Sequence, residues 1–174
     1  VRSVRRHLPL IEDDDLKQRA RQFFAQETLH GHEHDRATAV LEHQGFEIES
    51  WLAWYRGLAY ERIEPLAPAV LCLSVTAALE HLTASLAHYH LTTDPMHRAA
   101  PVMQDLMRWH ASEEIEHKSV AFDVLQTANG SWLIRVIGMV LAVIGFLFFW
   151  GSAWRHLRRQ DPNLTRARVR ADVE

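Results

Sequence analysis

Apolar side chains recur every three to four residues over several long segments, and this period predicts amphipathic α-helices. The first long helix is predicted over about residues 13 to 44, with three aspartates at its start and Gly45 at its end. Its inward stripe combines apolar and polar residues, namely Leu16, Ala20, Phe23, Phe24, Glu27, His30, His34, Ala37 and Leu41. Because buried polar groups need partners, the polar members of this stripe indicate a binding site.

Three more helices are predicted before residue 130. A short one covers residues 47–62, a longer one covers about 67–91, and another long one covers about 98–127, which Gly130 terminates. The helix at 67–91 has a stripe of mostly small residues, Val70, Leu73, Ala77, Glu80, Ala84 and Ala87. No alternating Val/Ile-rich segment predicts a strand, so the fold class is predicted to be all-α.

The motif Glu-x-x-His occurs twice in these helices, as Glu27-Thr-Leu-His30 and as Glu114-Ile-Glu-His117. Residues at i and i+3 lie on one helix face, so each motif can present a carboxylate and an imidazole to a metal ion. Four-helix carboxylate proteins hold two metal ions with two such motifs and with single glutamates from the other two helices. The predicted metal ligands are Glu27, His30, Glu80, His110, Glu114 and His117.

Two of these ligands lie outside the repeated motif. His110 precedes Glu114 by four residues and therefore shares its helix face, and Glu80 lies among small residues that leave room for an ion. Additional ligands or supporting groups are predicted at His34, His81 and Glu113. For any one of these residues the simpler interpretation is a solvated charge or a satisfied core histidine, and only the joint spacing favours metal. For His34, a supporting or surface role is an alternative of equal weight to metal ligation.

The first helix of such a bundle should also supply a glutamate, but residues 1–8 contain none. The missing ligand is predicted to lie just before Val1, on a helix that continues upstream, and Glu33 or a solvent molecule is the alternative. The predicted architecture is therefore a ferritin-like four-helix bundle with a truncated first helix, followed by an apolar C-terminal helix.

The C-terminal segment from 136 to 154 contains no charged residue and is almost long enough for a membrane span, which needs about 20 apolar residues. Tryptophans near its ends and arginines directly after it suit a membrane interface with a cytoplasmic flank: Trp132, Trp150, Trp154, Arg155, Arg158 and Arg159. Its small residues Gly138, Ala142 and Gly145 would allow close packing against another helix. The alternative is a buried helix or an oligomer contact in a protein without a membrane segment.

Composition narrows the function further. The chain has 174 residues, of which 48% are hydrophobic and 24% charged, which is typical of a folded protein with a core. The formal net charge of −3 provides no basic field for nucleic acid. The single cysteine, Cys72, cannot form an internal disulfide, which fits a cytoplasmic location. The predicted domains are a metal-binding bundle at 1–130, an apolar helix at 131–159 and a polar tail at 160–174.

The segment from His110 to Phe122, together with Gln26 to His34 and Ala78 to His81, resembles a bacterial family of predicted metal-dependent hydrolases across nearly the whole chain. This resemblance implies a metal-dependent activity and a glutamate a few residues before the position of Val1. The spacing of His110, Glu114 and His117 is also similar to that of the p-aminobenzoate N-oxygenase family, a ferritin-like di-iron group with an added histidine ligand.

The leading hypothesis is a di-iron oxidoreductase that activates O2 to oxidise a small organic or lipid-like substrate, with an electron donor as partner. Its cofactor would be two iron ions, with manganese/iron or zinc as alternatives. The alternative functions are a metal-dependent hydrolase with a dinuclear site and a non-enzymatic, membrane-tethered metal-binding module. The predicted location is the cytoplasm, with attachment to or insertion into the inner membrane through residues 136–154, and a homo-oligomer is a further expectation.

Overall fold

A computed structural model describes residues 1–161 of the chain, and in this part it contains helices and connecting turns but no β-strand. The predicted all-α fold is therefore confirmed. The α-helices are α1 (Arg2–His7), α2 (Asp14–His43), α3 (Glu49–Arg56), α4 (Ala69–Thr93), α5 (Pro101–His117), α6 (Val120–Ala128) and α7 (Trp132–Gln160). A π-helical segment, Gly57–Ile63, continues α3. Most of the predicted polar tail lies outside the described residues.

The prediction of one continuous helix over 98–127 was wrong, because Lys118 and Ser119 form a turn between α5 and α6. Both residues keep right-handed helical backbone angles, with φ −50° and ψ −28° at Lys118 and φ −94° and ψ −28° at Ser119. The interruption is therefore a local kink, which the hydrophobic period alone does not reveal. It separates the ligand-bearing helix α5 from α6, whose apolar face lies in the core.

Contacts between residues divide the chain into two units. Among the described residues, the first comprises Val1–Gly31 and Ala67–Ile144, and the second comprises His32–Leu66 and residues 145–161. The predicted domain boundaries near residues 130 and 160 stay a prediction.

The first unit has one hydrophobic core, to which α1, α2, α4 and α6 each contribute apolar side chains. Its buried residues are Val4, Ile11, Leu16, Ala20, Phe23, Leu73, Ala77, Val120, Ala121, Val124 and Leu125. Removal of this apolar surface from water is the main force that holds the four helices together. Along α2, the core residues end at Phe23, and the same inward stripe then continues into Glu27 and His30. The polar site is therefore a direct extension of the core.

Two polar contacts show how α2 lies against α5 and α6. Arg19 Nη1 lies 2.7 Å from Asp123 Oδ2, and Gln26 Nε2 donates to Glu116 Oε2 at 2.9 Å. Because the partner number falls as the number on α2 rises, the two segments run antiparallel. This direction determines which residues of the two Glu-x-x-His motifs face each other.

The beginning of α7 packs closely on α4 within the first unit. Ser74 Oγ donates to the carbonyl oxygen of Ile134 at 2.9 Å, and Gly138 lies directly against the same serine. A Cβ atom at Gly138 would overlap Ser74 Oγ and would come within 2.7 Å of Ser74 Cβ. Gly138 and Ala142 are buried, as the small-residue pattern predicts, whereas a Cβ at Gly145 would meet no atom within 4 Å.

Gly138→Ala should therefore destabilise the protein, because the added methyl group has no room beside Ser74. Overpacking of this kind costs about 1–3 kcal/mol. The matched control is Gly145→Ala in the same helix, which should be neutral or stabilising by up to about 1 kcal/mol since alanine favours helix more than glycine. Thermal unfolding of both variants under identical conditions measures the difference. Equal midpoints for the two variants would contradict the close α4–α7 packing.

The second unit joins the segment around α3 to the C-terminal half of α7. Trp51 Nε1 donates to Ser152 Oγ at 3.0 Å, and the Trp54 ring lies 5.9 Å from the Phe149 ring. His156 Nε2 lies 2.6 Å from the carbonyl oxygen of Glu47. An edge-to-face aromatic contact and side-chain hydrogen bonds thus connect these two segments.

Two helices, α4 and α7, are long and apolar enough to cross a membrane by length and composition. They differ in their surroundings. Helix α4 supplies buried residues to the core of the first unit, as expected for the central helix of a bundle. Most of the large apolar side chains of α7 are exposed, including Ile144, Leu147 and Trp150 at 60%, 65% and 66%.

Candidate metal centre

The antiparallel arrangement of α2 and α5 brings the two Glu-x-x-His motifs together so that each glutamate faces the histidine of the other motif. Glu27 Oε1 lies 2.9 Å from His117 Nδ1, and His30 Nδ1 lies 3.6 Å from Glu114 Oε1. In both motifs the histidine follows the glutamate by three residues, so reversing one helix produces this reciprocal pairing. The carboxylates and imidazoles of two distant segments thus converge on one site.

Longer contacts within each helix complete the site. Glu27 Oε1 lies 3.9 Å from His30 Nδ1, and His110 Nε2 lies 3.9 Å from Glu114 Oε1. Two ligands that bind one ion at about 2.1 Å are themselves roughly 3–3.4 Å apart in common geometries. The observed separations therefore require only small side-chain adjustments for metal coordination. Glu27, His30 and His117 form a group whose ligand atoms all lie within 4.8 Å of one another.

The burial of His117 provides a test of whether these residues suit a metal. The side chain is 1% exposed, and the edge of its ring packs against Phe23 with 5.3 Å between ring centroids. Its Nε2 atom is buried and has no hydrogen-bond partner within residues 1–161. A buried polar atom without a partner is unfavourable, and a metal ion is one of the few groups that satisfies a nitrogen lone pair in such surroundings. The site therefore fits a metal.

Electrostatics at Glu80 support the same conclusion. Burial, followed by the negative charges of Glu27 and Glu114, raises the pKa of Glu80 on α4 to about 7. The carboxylates of Glu27 and Glu114 thus lie close enough to oppose the ionisation of Glu80 in a poorly solvated place. A divalent cation would reduce this repulsion, and the role of Glu80 as a metal ligand stays a prediction.

Glu27 and His117 act on each other in the opposite sense. Burial alone would raise the pKa of Glu27, but contact with His117 and the charges of His117 and His30 outweigh burial and lower it. Burial alone would lower the pKa of His117, but contact with Glu27 and the charges of Glu27, Glu80 and Glu114 raise it. Without a metal, this contact thus favours the carboxylate form of Glu27 and the imidazolium form of His117.

The additional residues predicted from sequence lie in different places. His34 is exposed on α2, in the part of this helix that belongs to the second unit. His81 is exposed on α4 and lines a cavity of the first unit. Glu113 is half-buried, and its Oε2 atom has no hydrogen-bond partner in the described part of the chain. Burial raises the pKa of Glu113, which leaves it a candidate supporting group.

The glutamate expected from a first helix has no counterpart in α1, whose sequence is Arg-Ser-Val-Arg-Arg-His. Its position upstream of Val1 stays a prediction. Glu33, the alternative, lies 3.0 Å from Arg36 Nη1 through its Oε1 atom and forms an ion pair on its own helix. The reciprocal pairing of the motifs was not predicted from the sequence. The identical spacing of the two motifs predicts this pairing once the two helices are taken to run antiparallel.

The chain is thus an all-α protein with a histidine and carboxylate group able to bind a metal ion. Its residues 1–174 match the family described as predicted metal-dependent hydrolase, and the chain belongs to this family. Comparisons with curated proteins and with solved structures gave no match. Family membership supports metal dependence, and it favours the hydrolase alternative over the leading oxidoreductase hypothesis.

Proposed function

We propose that the protein is a metal-dependent hydrolase whose metal is held by Glu27, His30 and His117. The observation that carries this proposal is the close grouping of these three side chains at one site. Catalytic zinc sites commonly use three protein ligands, including two histidines and one glutamate, and leave a position for water or substrate. The description of the family supports the same type of reaction.

A bound divalent ion at this site would lower the pKa of water and so make hydroxide available near neutral pH. The protein's own residues have three tasks in this scheme. Glu27, His30 and His117 hold the ion, while Glu114 orients His30 across the 3.6 Å contact between their side chains. Glu80, which lies near the carboxylates of Glu27 and Glu114, would accept and release a proton at its carboxylate.

The second candidate is the di-iron oxidoreductase, with two iron ions, O2 and an electron donor. It is favoured by one specific observation, the number of potential ligands. The two motifs together with Glu80 and His110 provide more donors than a single ion uses, as in helical proteins that bind two ions. Manganese/iron and zinc remain alternatives for the metal.

The exposed apolar surface of α7 supports a further proposal about location. We infer that this helix associates with the inner membrane from the cytoplasmic side, through the segment 136–154. A lipid-like or other hydrophobic substrate would then be available close to the protein. Recovery of the full chain in the soluble fraction after cell lysis, without detergent, would contradict this location.

Metal analysis and two activity assays on the same preparation test the proposed function. The full-length protein is purified without added metal, its metal content is measured, and hydrolysis of ester, amide and phosphoester substrates is assayed before and after chelation. The expected result is hydrolysis that chelation abolishes and that one divalent metal restores. An absorption spectrum is recorded in parallel after anaerobic reduction and exposure to O2.

Each outcome supports one function and excludes another. A metal-dependent hydrolase with a spectrum indifferent to O2 supports the main proposal. Two iron ions with an O2-dependent transient and no hydrolysis would replace it with the oxidoreductase. A protein that binds no metal under any of these conditions would contradict both functions and leave a structural role for the carboxylates.

A further inference from the structure

A cavity of about 410 Å³ lies in the first unit between α4, the α5–α6 turn, α6 and the start of α7. Two of its lining residues directly follow candidate ligands in the chain, since His81 follows Glu80 and Lys118 follows His117. Successive residues on a helix point about 100° apart, so the cavity lies beside the metal centre and not within it. Its volume falls in the range of small-molecule binding sites.

The charged and titratable residues that line the cavity are basic. The cavity carries Lys118 and Arg135 together with His81, and no aspartate or glutamate lines it. Neither Lys118 nor Arg135 forms an ion pair within residues 1–161, and Arg135 Nε is buried without a hydrogen-bond partner there. The acidic residue next to the cavity on α6, Asp123, contacts Arg19 instead at 2.7 Å. The cavity thus has uncompensated positive charge and an unused buried donor.

The cavity also has an apolar lining, which includes Phe122, Leu125 and Met139. The guanidinium carbon of Arg135 lies 5.8 Å from the centre of the Phe122 ring. This cation–π contact holds the Arg135 side chain next to the apolar lining residues. A ligand that contacted both the basic and the apolar lining residues would need an anionic end and an apolar end. Arginine is well suited to bind carboxylate or phosphate oxygens because its donors lie in one plane.

We propose that this cavity binds a small anionic amphiphile, with a carboxylate or phosphate-ester head at Arg135 and Lys118 and a short apolar chain along Phe122, Leu125 and Met139. The cavity contains none of the six predicted metal ligands, and His81 in its lining is predicted only as an additional ligand or supporting group. Binding therefore does not depend on whether the metal centre hydrolyses its substrate. The start of α7 supplies both Arg135 and Met139, so the ligand contacts the same helix whose further apolar residues are exposed.

Calorimetric titration of the full-length, metal-free protein in a neutral detergent tests this proposal with four probes. Hexanoate and hexyl phosphate carry the proposed head and chain, hexylammonium reverses the charge, and inorganic phosphate lacks the chain. Hexanoate, hexyl phosphate or both should bind at one site per chain. Arg135→Gln should weaken that binding about tenfold or more, as expected for loss of a charged hydrogen bond.

A second variant in the cavity and a control variant outside it separate the effect of the cavity from general charge effects. Lys118→Gln changes an exposed residue of the cavity and should also weaken binding, while Arg155→Gln removes an arginine of α7 outside the cavity and should leave it unchanged. Helicity is compared by circular dichroism. Equal affinity in the Arg135 and Arg155 variants, or equal binding of hexylammonium, would overturn the proposal. Inorganic phosphate that binds as tightly as hexyl phosphate would overturn the amphiphile and leave a simple anion site.

Discussion

Replacing His117 with alanine should remove metal from the protein and abolish any activity that depends on it. His117 is fully buried, lies 2.9 Å from Glu27 and belongs to the group of three potential ligands. Loss of groups that only support a ligand already costs about 10–100-fold in metal affinity, so loss of this ligand should cost more than about 100-fold. Metal content after dialysis and titration of the metal-free protein with Zn²⁺ or Fe²⁺ measure the change.

The matched control for this experiment is His32→Ala, which removes an exposed histidine two residues after His30. It should keep the wild-type metal content. Because His117 also packs on Phe23, the variant His117→Gln preserves more side-chain volume and separates metal loss from loss of core packing. A His117→Gln protein that folds and retains metal at wild-type affinity would show that this residue is not a ligand.

Glu80→Gln should stabilise the metal-free protein above pH 7 while it weakens metal binding. The pKa of Glu80 is about 7 in the folded protein and about 4.3–4.5 when unfolded, so the folded state binds the proton more tightly. The resulting stabilisation is fully present below about pH 4.5 and is lost as pH rises through 7, by about 3 kcal/mol in all. Glutamine resembles the protonated carboxyl and has no such dependence.

Urea unfolding of wild type and Glu80→Gln between pH 5 and 8, with chelator present, measures this difference. The two proteins should be nearly equal at pH 5, and the variant should become more stable as pH rises. Glu12→Gln, at an exposed glutamate, is the control and should follow wild type. A constant difference across this pH range would contradict the placement of Glu80 beside two carboxylates.

Some of the features behind these expectations could be predicted from the sequence, and others could not. The inward stripes of α2 and α4 were predicted from periodicity, and Leu16, Ala20, Phe23, Leu73 and Ala77 are indeed buried. The pattern also placed Glu27 and His30 on the continuation of the α2 stripe. Periodicity could not show the kink between α5 and α6, because Lys118 and Ser119 keep helical backbone angles.

Similarly, small residues in the apolar C-terminal helix indicated close packing, but they did not show which of them would contact another helix. Gly138 lies against Ser74, whereas Gly145 has open space around it. The difference depends on where α4 approaches α7. The basic cavity had no sequence signal at all, since Lys118 lies in the α5–α6 turn, Arg135 lies in α7, and both are ordinary surface residue types when seen singly.

Helical periodicity and the i, i+3 spacing of Glu-x-x-His are local properties of the chain, so the all-α fold and the shared face of each motif follow directly from the residues. The contact of Glu27 with His117, and of His30 with Glu114, joins positions far apart in sequence. Such contacts depend on helix direction and on core packing, which are set by the sum of many weak interactions across the first unit. Local sequence thus determines the candidate ligands, and long-range packing determines which of them meet.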